Sequence, residues 1–189
     1  VWTELLQAGV YVGGGVAAII LLGHVVPGGW SDIITAARHA GKLRLIDTYT
    51  GIDRANTLLA GLVGGAFLSM ASHGADQLIV QRLLSARSLK DAQRAIIGSG
   101  IAVFFQFALF LVIGIGLWRL YGGRTFATPD AVFPTFIVEH MPAGLLGLVL
   151  AAVVAATMST HSGAINSLAA STTPDIYLPL SKRSSHDPR

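Results

Sequence analysis

Cysteine is absent from the 189 residues. Disulfides and thiolate metal sites are therefore excluded, and the redox compartment is left unread. Charge is scarce as well. Only 12% of residues are Asp, Glu, Lys or Arg, and 13 basic against 10 acidic side chains leave a net +3. So small and dispersed an excess offers no electrostatic footprint for nucleic acid. Catalytic signatures are missing too. Glu139-His140 lacks a second His one turn on, and there is no G-x-S-x-G elbow, Walker loop or dinucleotide fingerprint. Ser159 and His161 are two apart on a helix and point different ways, so they make no nucleophile–base pair. No enzyme, organic cofactor or transition metal is expected. There is no signal-peptide pattern. The chain opens at Val1 on an apolar run and closes on a polar stretch, and it reads as a piece of a longer membrane protein.

What the sequence has in quantity is apolar length. Hydrophobic residues make up 52%, Gly contributes 22 residues, and the mean hydropathy is +0.63. Few charges with many Gly fit a helical membrane protein. Four spans are expected, at about 3–23, 56–81, 94–121 and 142–173, within a transmembrane unit of 1–180 followed by a polar cytoplasmic tail, 181–189. The first begins at the interfacial Trp2 and carries Glu4, Gln7 and a Gly9/Gly13 G-x-x-x-G pair suited to close helix packing. The 24–55 loop should hold a short surface helix capped by Ser31 and stopped by Gly41.

The second span is the irregular one. Gly61, Gly64, Gly65 and Gly74 weaken it, and Ser69, Ser72, His73, Asp76 and Gln77 interrupt its second half. On an unbroken helix His73, Asp76 and Gln77 would share a face. An ionisable residue at membrane depth is a functional candidate, though a structural anchor is an equal use for Asp76. Glycine-weakened helices with polar groups at mid-depth also characterise discontinuous transporter helices.

Ser88 should cap the helix that enters the third span. A short helix, Asp130 to His140, is expected in the 122–141 loop, disturbed by Pro134. Arg82, Arg87, Lys90 and Arg94 crowd the 81–94 loop and place it on the cytoplasmic side. Positive residues then number seven inside and six outside.

The fourth span is the one on which a function can be argued. After the apolar run Leu145 to Ala156 the chain turns polar without gaining a formal charge, from Thr157 through Met158, Ser159, Thr160, His161 and Ser162 to Asn166 and Ser167. Helical spacing puts Ser159, Ser162 and Asn166 on one face, with Thr160 beside it. Neutral oxygens in such a row suit a hard monovalent cation that must also be released. The competing use is bonding to the carbonyl one turn back, or gluing neighbouring helices.

Three ordered motifs carry a family resemblance. Trp2-Thr3-Glu4-Leu5-Leu6-Gln7 resembles the W-T-D-x-x-Q entrance to the fifth core helix of the sodium:solute symporter family. Asp76-Gln77-Leu78-Ile79-Val80-Gln81-Arg82, with Leu84-Ser85-Ala86-Arg87-Ser88, resembles its D-Q-x-x-V-Q-R-x-L-x-A-K-S segment. Met158-Ser159-Thr160-His161-Ser162, with Asn166-Ser167 and Asp175-Ile176-Tyr177, is similar to its eighth core helix. The resemblance implies an all-α membrane protein, a fragment of the inverted-repeat (LeuT-like) transporter fold, comprising core helices five to eight plus short interfacial helices.

It further implies a sodium-coupled symporter in the cell membrane, whose partners are Na+, a small-molecule solute, the lipid bilayer and the remaining helices of the full-length protein. By the same resemblance Ser159, Thr160 and Ser162 are the sodium-binding candidates. Glu4, Gln7, Arg82 and Asp76 are candidates for an ion path or gate, with Glu4 and Arg82 able to pair. Ser69, Ser72, His73 and Asn166 are candidates for lining the solute site. Two departures stand out. Glu4 replaces the usual Asp, moving the charge out by one methylene. Ser72 stands where sugar-carrying members have Tyr, and the third span lacks the Lys some of them use, so a sugar is disfavoured. A symporter-like sensor domain attached to a signalling module is the alternative function.

Overall fold

The computed structural model describes residues 2–44, 46–51, 54 and 56–181. Helix α1 is Trp2–Val25, α2 Gly29–His39, α3 Leu58–Ala75, α4 Gln77–Leu84 and α5 Leu89–Leu120. A 3-10 turn, Pro129–Ala131, leads into α6, Val132–His140. Helix α7 is Ala143–Thr172, and a π-helical turn, Thr173–Tyr177, joins it to α8, Leu178–Ser181. Among the described residues four segments are long and apolar enough to cross a membrane: Glu4–Val25, Leu58–Ala75, Leu89–Leu120 and Ala143–Leu180. At 1.5 Å per residue the 32-residue α5 is about 48 Å long, more than the hydrocarbon thickness of about 30 Å. Beyond Ser181 the expected polar tail lies outside the described residues.

Packing is concentrated at one end. Ala18 and Leu22 of α1, Val26, Ile33 of α2, Ile113 and Leu117 of α5, Phe136 of α6 and Met141 form a single buried cluster. Polar contacts tie the same end together. Trp30 Nε1 donates to the Ile19 carbonyl at 3.1 Å, and Arg119 Nε to Asp32 Oδ2 at 2.7 Å. Ile33 and Ala37 are fully buried, so the apolar stripe of α2 is turned into protein. Its N-cap is Gly28, not Ser31, which lies inside the helix. Gly28 has φ 83°, and a Cβ there would stand 2.8 Å from Asp32 Cβ. Both conditions call for glycine.

The glycines that allow close helix approach on α1 are not the expected pair. Gly9 and Gly13 face open space. A Cβ on Gly15 would come within 2.7 Å of Leu109 Cδ2 on α5, and one on Gly14 within 3.3 Å of Val149 Cγ2 on α7. Proline also behaves more mildly than its helix-breaking reputation suggests. Pro134 falls in the first turn of α6, where its missing N–H has no intrahelical partner to lose. Pro174 does not end the fourth span, because the wider π turn absorbs it and the helix resumes at Leu178.

The second span is broken. Helix α3 ends at Ala75, Asp76 is extended (φ −72°, ψ 111°), and α4 begins at Gln77. Gly74 weakens the last turn of α3, and the Asp76 carboxylate accepts from the Ile79 N–H at 3.4 Å, capping α4. His73 and Gln77 therefore sit on separate helices, and the shared face expected of an unbroken helix does not form. Ser88 caps α5 as its sequence position predicts, its hydroxyl oxygen accepting from Asp91 N–H at 3.2 Å.

Candidate ion-binding site

Helix α7 runs along α1 and touches α4. The stripe it presents there is Ala156, Ser159, Thr160 and Gly163, at spacing i, i+3, i+4, i+7. Opposite stand Glu4 and Gln7 of α1, and Asp76, Ile79 and Arg82 from the helix break and α4, each three residues from the next. Together they enclose an open cleft of about 410 Å³. Small residues at 156 and 163 leave room beside the two hydroxyls.

Arg82 Nη2 donates to Glu4 Oε1 at 2.6 Å. The break at Asp76 makes this possible by redirecting α4 toward the first turn of α1. The pair places a positive and a negative group in the cleft, whose lining also includes Asp76 and the uncharged oxygens of Gln7, Ser159 and Thr160. Thr160 Oγ1 donates to the Ala156 carbonyl at 2.9 Å, and Thr157 Oγ1 to Val153 at 2.9 Å. Back-bonding, the competing use for such hydroxyls, is thus realised. It consumes the hydroxyl hydrogen and leaves the oxygen lone pairs able to face a cation.

Gln7 and Thr160 also line a second, mostly apolar cavity of about 730 Å³, between α1, α5, α6 and α7. Tyr11, Thr157 and His161 add polar groups to it. The Tyr11 ring packs on Phe110 with centroids 4.9 Å apart. None of these three was singled out from the sequence for such a role. For Thr157 and His161 the polar turn of the fourth span was the available signal, and which side of the helix it faced was not.

The four residues expected at an ion path or gate, Glu4, Gln7, Asp76 and Arg82, gather at the first cleft. Ser159 and Thr160 join them. Ser162 and Asn166 do not, because they lie about 110° and 70° around α7 from the middle of the lining stripe, and they line neither cavity. Ser69, Ser72 and His73 line neither cavity. They bond among themselves: Ser72 Oγ donates to the Ser69 carbonyl at 3.2 Å, and His73 Nδ1 lies 3.0 Å from Ser72 Oγ.

Residues 1–189 match the sodium:solute symporter family. The chain belongs to that family. It is 31% identical to the sodium/sialic acid symporter SiaT of Proteus mirabilis, over 97% of this chain and 38% of that protein. It is 28% identical to the human sodium-coupled monocarboxylate transporter 1, over 97% of this chain and 32% of that one. Against the human sodium/iodide cotransporter the values are 29%, 95% and 29%. The fold matches a solved structure described as the substrate-bound outward-open state of a Na+-coupled sialic acid symporter, with a TM-score of 0.84 at 30% identity, over 99% of this chain and 40% of that one. The chain thus spans about two fifths of the length of the sialic acid symporters it matches and about three tenths of the two human transporters. It is a helical membrane segment of the inverted-repeat transporter fold, and its relatives are transporters, which points away from an enzyme.

Proposed function

We propose that the protein containing this chain is a sodium-coupled symporter of the plasma or inner membrane, a multi-pass protein that brings a small organic solute into the cell by alternating access. The observation that carries this reading is the position of Ser159 and Thr160. They line an open cleft shared with α1 and α4. Ser159 and Thr160 hold the sodium ion, and the remaining ligands come from helices outside the 189 residues. Glu4 and Arg82 form a gate at the cytoplasmic end, consistent with the positive 81–94 loop. Likeness to a sodium/sialic acid symporter and a sodium-coupled monocarboxylate transporter makes an organic acid the first solute to test.

One charge moving through 100 mV supplies roughly 2.3 kcal/mol before any concentration gradient is counted. That energy reaches the solute only if ion and solute favour the same conformations. The sensor alternative finds no support in the comparisons. The test is solute uptake by the complete protein with sodium varied. Ser159→Ala with Thr160→Ala should abolish sodium dependence while surface expression is kept. Uptake with the parent's sodium dependence would remove the assignment.

A further inference from the structure

The 81–94 segment carries four basic side chains, Arg82, Arg87, Lys90 and Arg94, and a single acid, Asp91. Arg82 is taken by Glu4. Asp91 accepts from Ser88 Oγ at 2.8 Å and stands 3.9 Å from Arg94. Arg87 and Lys90 are exposed, and among the described residues neither forms an ion pair. The segment therefore keeps a local positive excess that its own fold does not neutralise.

Helix α5 fixes the depth of that excess. Trp118, near its far end, marks one membrane interface. About 30 Å of helix, at 1.5 Å per residue, then reaches back to Gly98. Arg94 lies about 6 Å beyond that point and Lys90 about 12 Å. The headgroup layer is about 5–8 Å deep on each side, and long basic side chains bend back toward it. The direction is set as well as the depth. Ile97, Ile101, Phe104 and Leu111 form a stripe along α5 and are 55–68% exposed. Lys90 and Arg94, seven and three residues before Ile97, continue the same stripe. Where α5 packs closely on α1, a glycine admits the contact: Gly15 receives Leu109, and Gly116 receives Leu22. The stripe presents bulky apolar side chains instead, which suit acyl chains better than a close helix contact. Cations at its end would be costly to bury unpaired against protein.

We propose that Arg87, Lys90 and Arg94 bind the headgroup of an anionic phospholipid of the cytoplasmic leaflet, whose acyl chains lie along the Ile97–Phe104 stripe. The inference rests on the cytoplasmic placement of 81–94 in the proposed function, and not on sodium coupling. Its test therefore reads lipid and not transport. In the complete protein, with any cysteines elsewhere removed, Gln93→Cys carries a fluorophore beside the site. The protein is placed in phosphatidylcholine vesicles. Phosphatidylglycerol or phosphatidylcholine bearing a nitroxide near the top of the acyl chain is titrated in, and quenching is measured. Phosphatidylglycerol should be preferred by about fivefold or more, the scale of one basic residue near an anionic surface. Arg87→Gln with Lys90→Gln should bring the two lipids close to equal. Arg87→Lys with Lys90→Arg, which keeps both charges, should keep the preference. Equal quenching by the two lipids in the parent, or a preference that survives the neutral substitutions, would overturn the site. So would loss of the preference on adding inorganic phosphate at constant ionic strength, which would assign these cations to a soluble anion.

Discussion

The Glu4–Arg82 pair yields a prediction whose size decides what the pair is for. The two groups are 2.6 Å apart, but Arg82 is 69% and Glu4 42% exposed. Exposed pairs contribute about 0.2–1 kcal/mol after solvent screening, at most about fivefold in an equilibrium. If Glu4 serves only as Arg82's partner, then Glu4→Gln and Arg82→Gln should each change the apparent sodium affinity of uptake by no more than that factor. The double variant should cost little more than either single, because both remove one interaction. The charge reversal Glu4→Arg with Arg82→Glu should recover much of what either single reversal loses. The assay is sodium-dependent uptake by the complete protein in proteoliposomes, with the four variants compared as a cycle. A loss of a hundredfold in Glu4→Gln alone, with Arg82→Gln near the parent, would refute the gate. It would make Glu4 an ion ligand despite its added methylene.

Two further outcomes are expected from the α5–α6 end. Phe136→Ala removes a fully buried ring that stacks on Phe133 and packs against His140. It should destabilise the protein by about 3–5 kcal/mol, read as a lowered melting midpoint in detergent; an unchanged midpoint would place the stabilising core elsewhere. The pH dependence of that stability should have two arms. Glu139, hydrogen-bonded by Tyr121 and then Arg124, is lowered from its ordinary 4.5, so its contribution is full above that value and lost as pH falls through the depressed one. Tyr121 is raised by burial and its bond to Glu139 from 10.0 to about 12, so its contribution is full below pH 10 and lost as pH climbs toward 12. Glu139→Gln should shrink both arms; melting curves from pH 3 to 12 check this, and an acid arm unchanged by the substitution would refute it.

Residue order alone determined the number of membrane-length helices, the cap at Ser88 and the family likeness, because hydropathy over a long window, a side chain that bonds three residues on, and short ordered motifs are all local properties. The position of the break in the second span was half legible. Gly74 and Asp76 announce a weak point, yet an intact helix with His73, Asp76 and Gln77 on one face was an equally good local solution. Tertiary structure decided the rest. Periodicity gives the angle between Ser159 and Ser162 but not which of them faces α1, since hydroxyls and small residues occur on more than one side of α7, and neighbours alone distinguish them. It likewise could not tell Gly14 and Gly15, which admit Val149 and Leu109, from Gly9 and Gly13, which face open space. Nor could it show that one carboxylate in α6 closes on a turn fifteen residues earlier. Contacts between distant segments depend on where the chain returns to itself, and that is set by how whole helices pack rather than by any stretch read singly.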